Sequence, residues 1–235
     1  MRVGIIPARG GSKRIPRKNL KEFFGKPIIA WSIDTAIKSK CFDRIIVSTD
    51  DIDIANVAKK YGAEAPFIRP EDLANDHAGV TEVVTHAIKW LKQNVGVPSE
   101  VCCILATAPF LKPVDIKKGL EKLSAESYDF VFTATRYAFP IQRAIRITNT
   151  GRVEMFQPQY FKTRSQDLEE SFHDAGQFYW GKTNAWLSDT PIFKSNSAAL
   201  ILPRDRVQDI DTIEDWTRAE LMFEIIKKQD QNRRG

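Results

Sequence analysis

The sequence predicts an α/β fold with a doubly wound, mostly parallel sheet and one inserted arm. Short apolar runs of strand length alternate with amphipathic helical stretches through the first half of the 235 residues. This alternation is typical of parallel strands covered by helices on both faces. It then stops, and a long irregular segment precedes the last strands. Long excursions in compact domains are more often functional than plain connections, so we expect one domain over residues 1–235 with an arm at about 137–171.

The first half of the chain predicts four strands and four helices. The strands are short apolar runs at 3–6, 45–48, 65–68 and 101–105. The helices are amphipathic stretches at 27–37, 53–60 and 81–91 and one that begins near Pro113. Their apolar residues recur every three or four positions, as Val84, Ile88 and Leu91 do in the third helix. Pro113 suits the first turn of a helix, where its missing N–H is not needed.

The second half begins with a strand at 130–135 and then loses the regular pattern. Pro140, Gly151 and Pro158 interrupt short apolar runs in the segment that we interpret as an arm or lid. Strand character returns at 177–180 and 198–202, and a final helix is predicted at 212–226. This order of elements is Rossmann-like. Ligands of such sheets bind outside the carboxyl ends of the strands, where the first loop leaves the first strand.

Composition and charge favour a soluble protein with a small phosphorylated ligand. No apolar run reaches the ~20 residues of a membrane span, and the N-terminus lacks the features of a signal peptide. We therefore expect a cytoplasmic protein with no membrane partner. The formal charge of +5, from 35 basic and 30 acidic residues, is too small for the basic face of a nucleic-acid binder. Cys41, Cys102 and Cys103 are odd in number, so we expect core thiols rather than disulfides or a zinc cluster.

The most informative motif is the stretch 5–19, in which an apolar strand runs into Gly10 and Gly11. Five cations surround the glycines: Arg9, Lys13, Arg14, Arg17 and Lys18. Glycine lets backbone N–H groups approach a ligand and the cations neutralise a polyanion, which is the chemistry of a triphosphate-binding loop. The motif is neither a Walker A loop nor the Gly-x-Gly-x-x-Gly fingerprint of a Rossmann-type oxidoreductase. A solvated basic loop is the alternative.

Asp209 and Asp211 form a second motif, just before the last helix. Carboxylates two residues apart on an extended chain point the same way. Mg²⁺ is commonly held by one or two carboxylates together with waters and phosphate oxygens, so the pair predicts a Mg²⁺ site opposite the basic loop. The alternative is that Asp211 caps the helix, with Glu214 completing a capping box.

A third cluster combines Arg164 and Gln166 with His173, Gln177 and Tyr179. Arginine offers a planar fork to a carboxylate, and the other side chains offer directional hydrogen bonds to a sugar-like substrate. The alternative is a salt-bridged loop beside a core strand.

Arg69 follows the third predicted strand and adds a cation on the nucleotide side of the sheet. The alternative is a surface ion pair with Glu71 or Asp72.

With these motifs the chain resembles the cytidylyltransferases that activate sialic acid and related nonulosonic acids, and it is most similar to the pseudaminic acid branch. The resemblance covers nearly the whole chain and is carried by 6–19, 25–27, 48–50, 164–168 and 207–212. It implies a nucleotidyltransferase domain that transfers CMP from CTP to the anomeric hydroxyl of a nine-carbon acidic keto sugar, with Mg²⁺ as cofactor. The product would serve glycosylation of the bacterial surface or of flagellin. The resemblance also implies a homodimer whose arm reaches the partner subunit.

The motifs and the resemblance together assign roles to individual residues. The nucleotide-binding residues are Arg9, Gly10, Gly11, Ser12, Lys13, Lys18, Asn19 and Arg69. The catalytic residues are Arg9, Lys18 and Asp211, and the metal ligands are Asp209 and Asp211. The substrate-binding residues are Arg164, which matches the group that holds the sugar carboxylate, and Gln166, His173, Gln177 and Tyr179.

One departure from the family bears on the substrate. Sialic acid synthetases carry a Gln-Pro-Thr-Ser-Pro type of segment after the central strand, whereas this chain has Ala106-Thr107-Ala108-Pro109-Phe110. Ala106 replaces the glutamine that meets the sugar, which favours pseudaminic acid over sialic acid. The alternatives are a cytidylyltransferase for sialic, legionaminic or another acidic keto sugar, and a non-catalytic nucleotide- or polyanion-binding module, which needs no metal.

Overall fold

A computed structural model describes residues 1–75, 78–194 and 196–232. The strands are β1 (Arg2–Pro7), β2 (Glu22–Phe23), β3 (Lys26–Pro27), β4 (Arg44–Ser48), β5 (Glu100–Ile104), β6 (Phe130–Arg136), β7 (Ile145–Ile147), β8 (Val153–Met155), β9 (Phe172–Lys182) and β10 (Ser197–Ile201). The α-helices are α1 (Ile28–Ser39), α2 (Ile52–Lys60), α3 (Val80–Asn94), α4 (Pro113–Ala125), α5 (Thr183–Leu187) and α6 (Ile213–Asn232). None of the helices in these ranges has the length and apolar character needed to span a membrane.

The central sheet has six strands in the order β10, β6, β9, β5, β1, β4. β1 pairs in parallel with β4 and β5, and β6 pairs in parallel with β10. β9 lies between β5 and β6 and runs antiparallel to both. The sheet is therefore mostly parallel, as predicted, and the carboxyl ends of its parallel strands open on one edge.

Helices cover both faces of this sheet. α1, α2 and α4 pack on the face that contains Ile6, Val47 and Cys102. α3 and α5 pack on the opposite face, which contains Ile5 and Cys103. Alternate residues of one strand thus enter different cores, as the strand geometry requires. The doubly wound prediction is confirmed, and all three cysteines are buried free thiols, as expected.

The prediction of a strand at 65–68 is wrong. The chain there makes only isolated parallel bridges to the β4 region, between Ile46 and Glu64 and between Thr49 and Ile68. Pro66 lies between the two bridges and lacks the N–H that a continuous ladder needs. The segment therefore runs alongside the edge of the sheet without becoming a strand.

β9 is longer than the predicted strand at 177–180 and contains a bulge against β6. Ala134 lies opposite Asp174 and Phe132 lies opposite Tyr179, so β6 advances two residues while β9 advances five. The hydroxyl of Thr133 accepts two backbone hydrogen bonds at 3.3 Å from the bulged segment. Bulges re-aim side chains beside binding sites, and this bulge separates the core part of β9 from its first residues.

The segment 137–171 connects β6 to β9 and contains a short β7–β8 hairpin with three single-turn 3₁₀ helices. We call this segment the arm. Several of its large apolar side chains are exposed, among them Phe139 at 81%, Ile147 at 73% and Phe161 at 72% of their full area. A monomer in water gains nothing from such a surface, which is typical of an interaction site.

We expect Gly181→Ala to destabilise the fold because this glycine lies where two core aromatic rings meet. A Cβ atom at Gly181 would lie 2.5 Å from Cε1 of Phe130 and 2.5 Å from Nε1 of Trp186. Overpacking of this kind costs about 1–3 kcal/mol, measured as a lower urea midpoint with an unchanged slope. Gly11→Ala is the control, because nothing lies within 4 Å of its Cβ position. Equal stability of the two variants would contradict the packing argument.

Candidate active site

The first loop leaves the carboxyl end of β1 and is anchored on both sides of its cations. Ile15 is buried in an apolar cluster with Phe23 and Trp216. Asn19 is also buried, and its side-chain amide donates to the carbonyl of Arg9 at 2.9 Å. These anchors give the loop a defined shape although several of its cations are exposed.

The two glycines of the loop have different surroundings. A Cβ atom at Gly10 would lie 2.6 Å from Oδ2 of Asp51, so the backbone can approach the end of β4 only with glycine here. The N–H of Gly10 donates to Oδ1 of Asp50 at 3.0 Å. Gly11, in contrast, faces open space. Gly11 is therefore the glycine that leaves room for a ligand, while Gly10 joins the loop to β4.

The cations of the loop find counter-charges far away in the sequence. Arg17 pairs with Asp51 and Asp53, at 3.2 Å and 2.8 Å. Arg14 lies 2.7 Å from one carboxylate oxygen of Asp211, and Nζ of Lys18 lies 3.2 Å from the other. Arg17 thus has a structural role beside α2, whereas Arg14 and Lys18 face the acidic pair.

Two adjoining cavities open beside this loop. The first, of about 180 Å³, is here called the basic cavity. It is lined by Pro7, Arg9, Ser12, Lys13, Arg14, Ile15, Lys18, Asn19, Leu105, Ala106, Thr107 and Asp211. The second, of about 370 Å³, is called the Arg69 cavity and shares Pro7, Arg9, Leu105 and Asp211 with the first. The predicted nucleotide-binding side chains from the loop thus come together with Arg69 around one connected space.

Arg69 is a buried arginine at this space, with 4% of its area exposed. Its guanidinium lies 3.5 Å from Asp50, not beside Glu71 or Asp72, so the surface ion pair is ruled out as its explanation. Its Nε is buried without a hydrogen-bond partner. Burial lowers the pKa of Arg69 and the Asp50 carboxylate opposes that shift, but an arginine remains charged. A buried, incompletely paired donor at a cavity is suited to a polar ligand.

Asp209 and Asp211 lie at the boundary between these cavities and a third one. Asp211 lines the basic and Arg69 cavities, and Asp209 lines the third, of about 480 Å³, here called the Asp209 cavity. Partial burial, and then the charge of Asp211, raise the pKa of Asp209. The two carboxylates are therefore close enough to repel each other.

Neither carboxylate of the pair caps the last helix. Oδ2 of Asp215 accepts from the N–H of Thr212 at 2.8 Å, and the hydroxyl of Thr212 accepts from the N–H of Asp215 at 3.2 Å. This reciprocal pair is a capping box, so the alternative role for Asp211 with Glu214 is wrong. The side chains of Asp209 and Asp211 remain directed at the cavities.

The acidic pair fits a Mg²⁺ ion better than a metal that needs a complete protein cage. Among the described residues, no group of three or more His, Cys, Asp or Glu side chains could hold a metal. Mg²⁺ needs only one or two carboxylates when water and phosphate oxygens complete its shell. Like-charge repulsion between Asp209 and Asp211 favours a bound cation as well. The assignment of both residues as metal ligands stays a prediction.

The Asp209 cavity lies where the ends of β6 and β9 meet the segment before α6. It is lined by Thr135, Arg136, Ala138, His173, Asp174, Ala175, Gly176, Arg204, Val207, Gln208, Asp209 and Arg218. Nδ1 of His173 donates to the carbonyl of Asp174 at 2.8 Å, so Nε2 of the neutral ring is an acceptor. His173 therefore lines this cavity, and its contact with the substrate stays a prediction.

Gln177 and Tyr179 are placed differently from what the sequence predicted. Gln177 is 3% exposed, and its amide donates to the carbonyl of Arg206 at 2.6 Å. Tyr179 is buried and donates to the carboxylate of Asp174. Burial, followed by the charge of Asp174, raises the pKa of Tyr179 well above its usual range, so this phenol stays a donor. Direct contacts of Gln177 and Tyr179 with the substrate stay predictions, and the buried positions of the two side chains do not favour them.

Arg164 and Gln166 lie on the arm and line none of the three cavities. Arg164 is exposed and pairs with Asp167, its neighbour three residues on, at 2.7 Å. Gln166 borders a separate recess within the arm. Within a single chain, Arg164 therefore fits the alternative of a salt-bridged loop. Its contact with a sugar carboxylate stays a prediction.

For some residues at or beside the cavities, no role was predicted from the sequence. Asp50, which contacts Gly10 and Arg69, lies in the stretch 48–50 that carries the family resemblance, but no individual role was predicted for it. Asp174 lies beside His173, but nothing in the sequence distinguishes it from other strand carboxylates. Arg204 and Arg218 carry no motif, and only the fold brings them to the Asp209 cavity.

Transfer of a nucleotidyl group needs cations around the phosphates and two binding spaces that meet at the reacting atoms. The basic cavity is lined by Asp211 and the Asp209 cavity by Asp209, two residues earlier, at the ligand-binding edge of an open α/β sheet. Fold and site together define a protein of the nucleotidyltransferase class.

Comparison with known proteins gives the family. A model of the family described as cytidylyltransferase matches residues 3–221, and the chain belongs to this family. It is 47% identical over 221 residues to pseudaminic acid cytidylyltransferase of Campylobacter jejuni, with 94% of this chain and 95% of the relative covered. It is 32% identical to CMP-N,N'-diacetyllegionaminic acid synthase of Legionella pneumophila, with 95% and 96% covered.

A solved structure has the same fold. It is that of CMP:2-keto-3-deoxy-manno-octonic acid synthetase complexed with CTP, with a TM-score of 0.71 and 16% identity. The match covers 94% of this chain and 98% of that one. The likeness confirms the α/β architecture.

Proposed function

We propose that this protein transfers CMP from CTP to the anomeric hydroxyl of pseudaminic acid and releases pyrophosphate. One observation carries the proposal. Asp211 faces the basic and Arg69 cavities, while Asp209, two residues earlier, faces the Asp209 cavity. A nucleotide in the first two and a sugar in the third would therefore meet at the acidic pair.

The reaction needs little covalent help from the protein. The anomeric hydroxyl oxygen attacks the α-phosphorus and its proton is released to solvent, the bond from that phosphorus to the bridging oxygen breaks, and pyrophosphate leaves with the electron pair. Such transfers depend on in-line positioning and on stabilisation of charge at the phosphates. When bound at Asp209 and Asp211, Mg²⁺ would polarise the α-phosphate.

The loop cations supply the remaining positive charge. Lys18 also donates to the carbonyl of Ile210 at 2.5 Å, so its ammonium is held beside the acidic pair before a ligand arrives. Arg9 lines both nucleotide-side cavities and can contact a triphosphate that extends from one to the other. The buried guanidinium of Arg69 at the Arg69 cavity supports a role for this residue in recognition of the cytosine.

The sugar substrate is proposed from Ala106 and from the relatives. Ala106 lines the basic cavity beside Asp211 and not the Asp209 cavity, so it can meet only the part of the sugar that reaches the acidic pair, and it has no side-chain donor or acceptor. A site that uses glutamine at this position makes a hydrogen bond that this chain lacks. Pseudaminic acid is the activated sugar in the name of the relative at 47% identity, which supports the same substrate here.

We also propose a homodimer in the cytoplasm. The exposed apolar side chains of the arm support a contact with a second copy, because burial of such groups is favourable by about 25 cal/mol per Å². A second copy would also explain why Arg164 and Gln166 are remote from the cavities of their own chain, since the arm could then present them to the partner.

We expect Asp211→Asn and Asp209→Asn each to lower turnover by about a hundredfold or more, because transition-state charge loses a preorganised partner. Pyrophosphate release with CTP and pseudaminic acid over a Mg²⁺ titration measures this. Asp205→Asn, an exposed carboxylate in the same segment, is the control. Normal Mg²⁺-dependent turnover in Asp209→Asn would remove that residue from the metal site. CTP affinity that EDTA leaves unchanged, without any turnover, would favour the non-catalytic module instead.

With pseudaminic acid and sialic acid at equal concentration, we expect mainly CMP-pseudaminic acid. Buried polar groups left unpaired by the wrong sugar cost about 1–3 kcal/mol each. Product analysis by mass spectrometry gives the ratio directly. Predominance of CMP-sialic acid would overturn the substrate and leave cytidylyl transfer standing.

Ile147→Asp in the arm should shift the sedimentation coefficient from that of a dimer to that of a monomer, because a buried carboxylate opposes association. Ile52→Asp, at an exposed apolar residue of α2, is the matched control and should leave the dimer intact. A monomeric wild-type protein, or a dimer that resists the arm substitution, would contradict the proposed interface.

A further inference from the structure

Cationic side chains form part of the lining of the Asp209 cavity. Three arginines line it: Arg136 at the end of β6, Arg204 in the turn after β10, and Arg218 in α6. Arg136 is already neutralised, because its Nε lies 2.6 Å from Oε1 of Glu170. Within the described part of the chain, the side chains of Arg204 and Arg218 make no hydrogen bond or ion pair. Two guanidinium groups therefore remain available to an anion in this cavity.

The turn that carries Arg204 is rigidly attached to the sheet. Two residues on, Arg206 makes a two-pronged contact with the buried carboxylate of Asp115, at 2.6 Å and 3.3 Å. The carbonyl of Arg206 accepts the hydrogen bond from Gln177, and the carbonyl of Leu202 accepts one from Thr135 at 2.9 Å. Fixing the backbone on both sides lowers the entropy lost when Arg204 binds a ligand.

Arg218 is fixed by a different element. It lies in the second turn of α6, whose start is held by the capping box and whose buried side is anchored by Trp216. The two arginines thus reach one cavity from two independently anchored segments. Planar guanidinium groups in such a place suit a carboxylate, which can accept two parallel hydrogen bonds.

Two carboxylates line the same cavity. Asp174 and Asp209 line it, and the phenol of Tyr179 donates to Asp174. An acidic keto sugar has a matching polarity, because its carboxylate is bonded to the same carbon that bears the anomeric hydroxyl. A sugar whose carboxylate is held by the arginines would bring that hydroxyl into the cavity that Asp209 lines.

We propose that Arg204 and Arg218 bind the carboxylate of the acidic sugar and thereby orient its anomeric hydroxyl for attack. The inference rests on the proposed function and differs from the earlier prediction that Arg164 has this role. All three arginines are exposed, but Arg164 is already paired within the arm, whereas Arg204 and Arg218 line the Asp209 cavity. Arg204 and Arg218 are specificity-determining residues for a carboxylate-bearing acceptor, and neither needs a partner subunit to reach the cavity.

The test measures KM for each substrate with Arg204→Gln, Arg218→Gln and the double variant. We expect KM for pseudaminic acid to rise about tenfold in each single variant and further in the double variant, since hydrogen bonds to a charged group are lost. KM for CTP should stay at the wild-type value. The methyl ester of the sugar, used as a competitive inhibitor, should bind the wild-type and variant proteins equally, because it lacks the charge. Arg2→Gln, an exposed arginine at the opposite edge of the sheet, is the control.

The possible results separate this inference from the function on which it rests. No pyrophosphate release by the wild-type protein with any nonulosonic acid would overturn both. An active wild-type protein with unchanged KM for the sugar in the double variant would overturn the inference alone. A loss confined to Arg164→Gln would assign the carboxylate to the arm, and a rise in KM for CTP would assign the two arginines to the nucleotide.

Discussion

The contact of Lys18 with Ile210 and Asp211 is the interaction on which the site depends. It joins two segments that are 192 residues apart in the chain. One segment carries the cations that suit phosphates, and the other carries the carboxylates that suit a metal ion. Arg14 strengthens the same connection through the second oxygen of Asp211. Opposite charges thus hold the two halves of the site together before any ligand is present.

This arrangement also holds cations close to the position where negative charge would develop on the phosphates during transfer. Asp211 holds Lys18 and Arg14 near the site, so both cations are already close when a ligand binds. Electrostatic stabilisation is most effective when donors are positioned before the reaction. A phosphate that enters the basic cavity competes with Asp211 for these cations, while a metal ion at Asp211 would release them. Cation and phosphate binding are therefore expected to support each other.

Much of the fold could be predicted from the sequence, because alternating apolar runs report directly on strands that are buried on both faces. The same patterns are local, and they contain no information on strand order. The insertion of β9 between β5 and β6 was therefore not predictable. Pro66 shows a second limit of prediction from local patterns. The apolar run around it has strand character, but proline lacks the backbone N–H that a continuous ladder needs.

The site divides in a similar way. The basic loop and the acidic pair are dense local motifs, and the structure brings them together. Gln177 and Tyr179 belong to a motif as well, but polar residues of a strand can face a core or a cavity, and the bulge decides which. Arg204 and Arg218 are single residues on separate elements. Their proximity to one cavity is a property of the tertiary structure alone.

The position of β9 has a consequence for the order in which the chain can fold. β4, β1 and β5 form one group of strands, and β6 and β10 form another. In the part of the chain that the structure describes, β9 is the strand that bonds to both groups. The two groups of strands cannot join into one sheet until residues 172–182 are available, after the whole arm has been synthesised. Closure then depends on contacts distant in sequence, which slows folding relative to local pairing. During synthesis, the apolar arm is thus exposed to the cell before the sheet that carries it is complete.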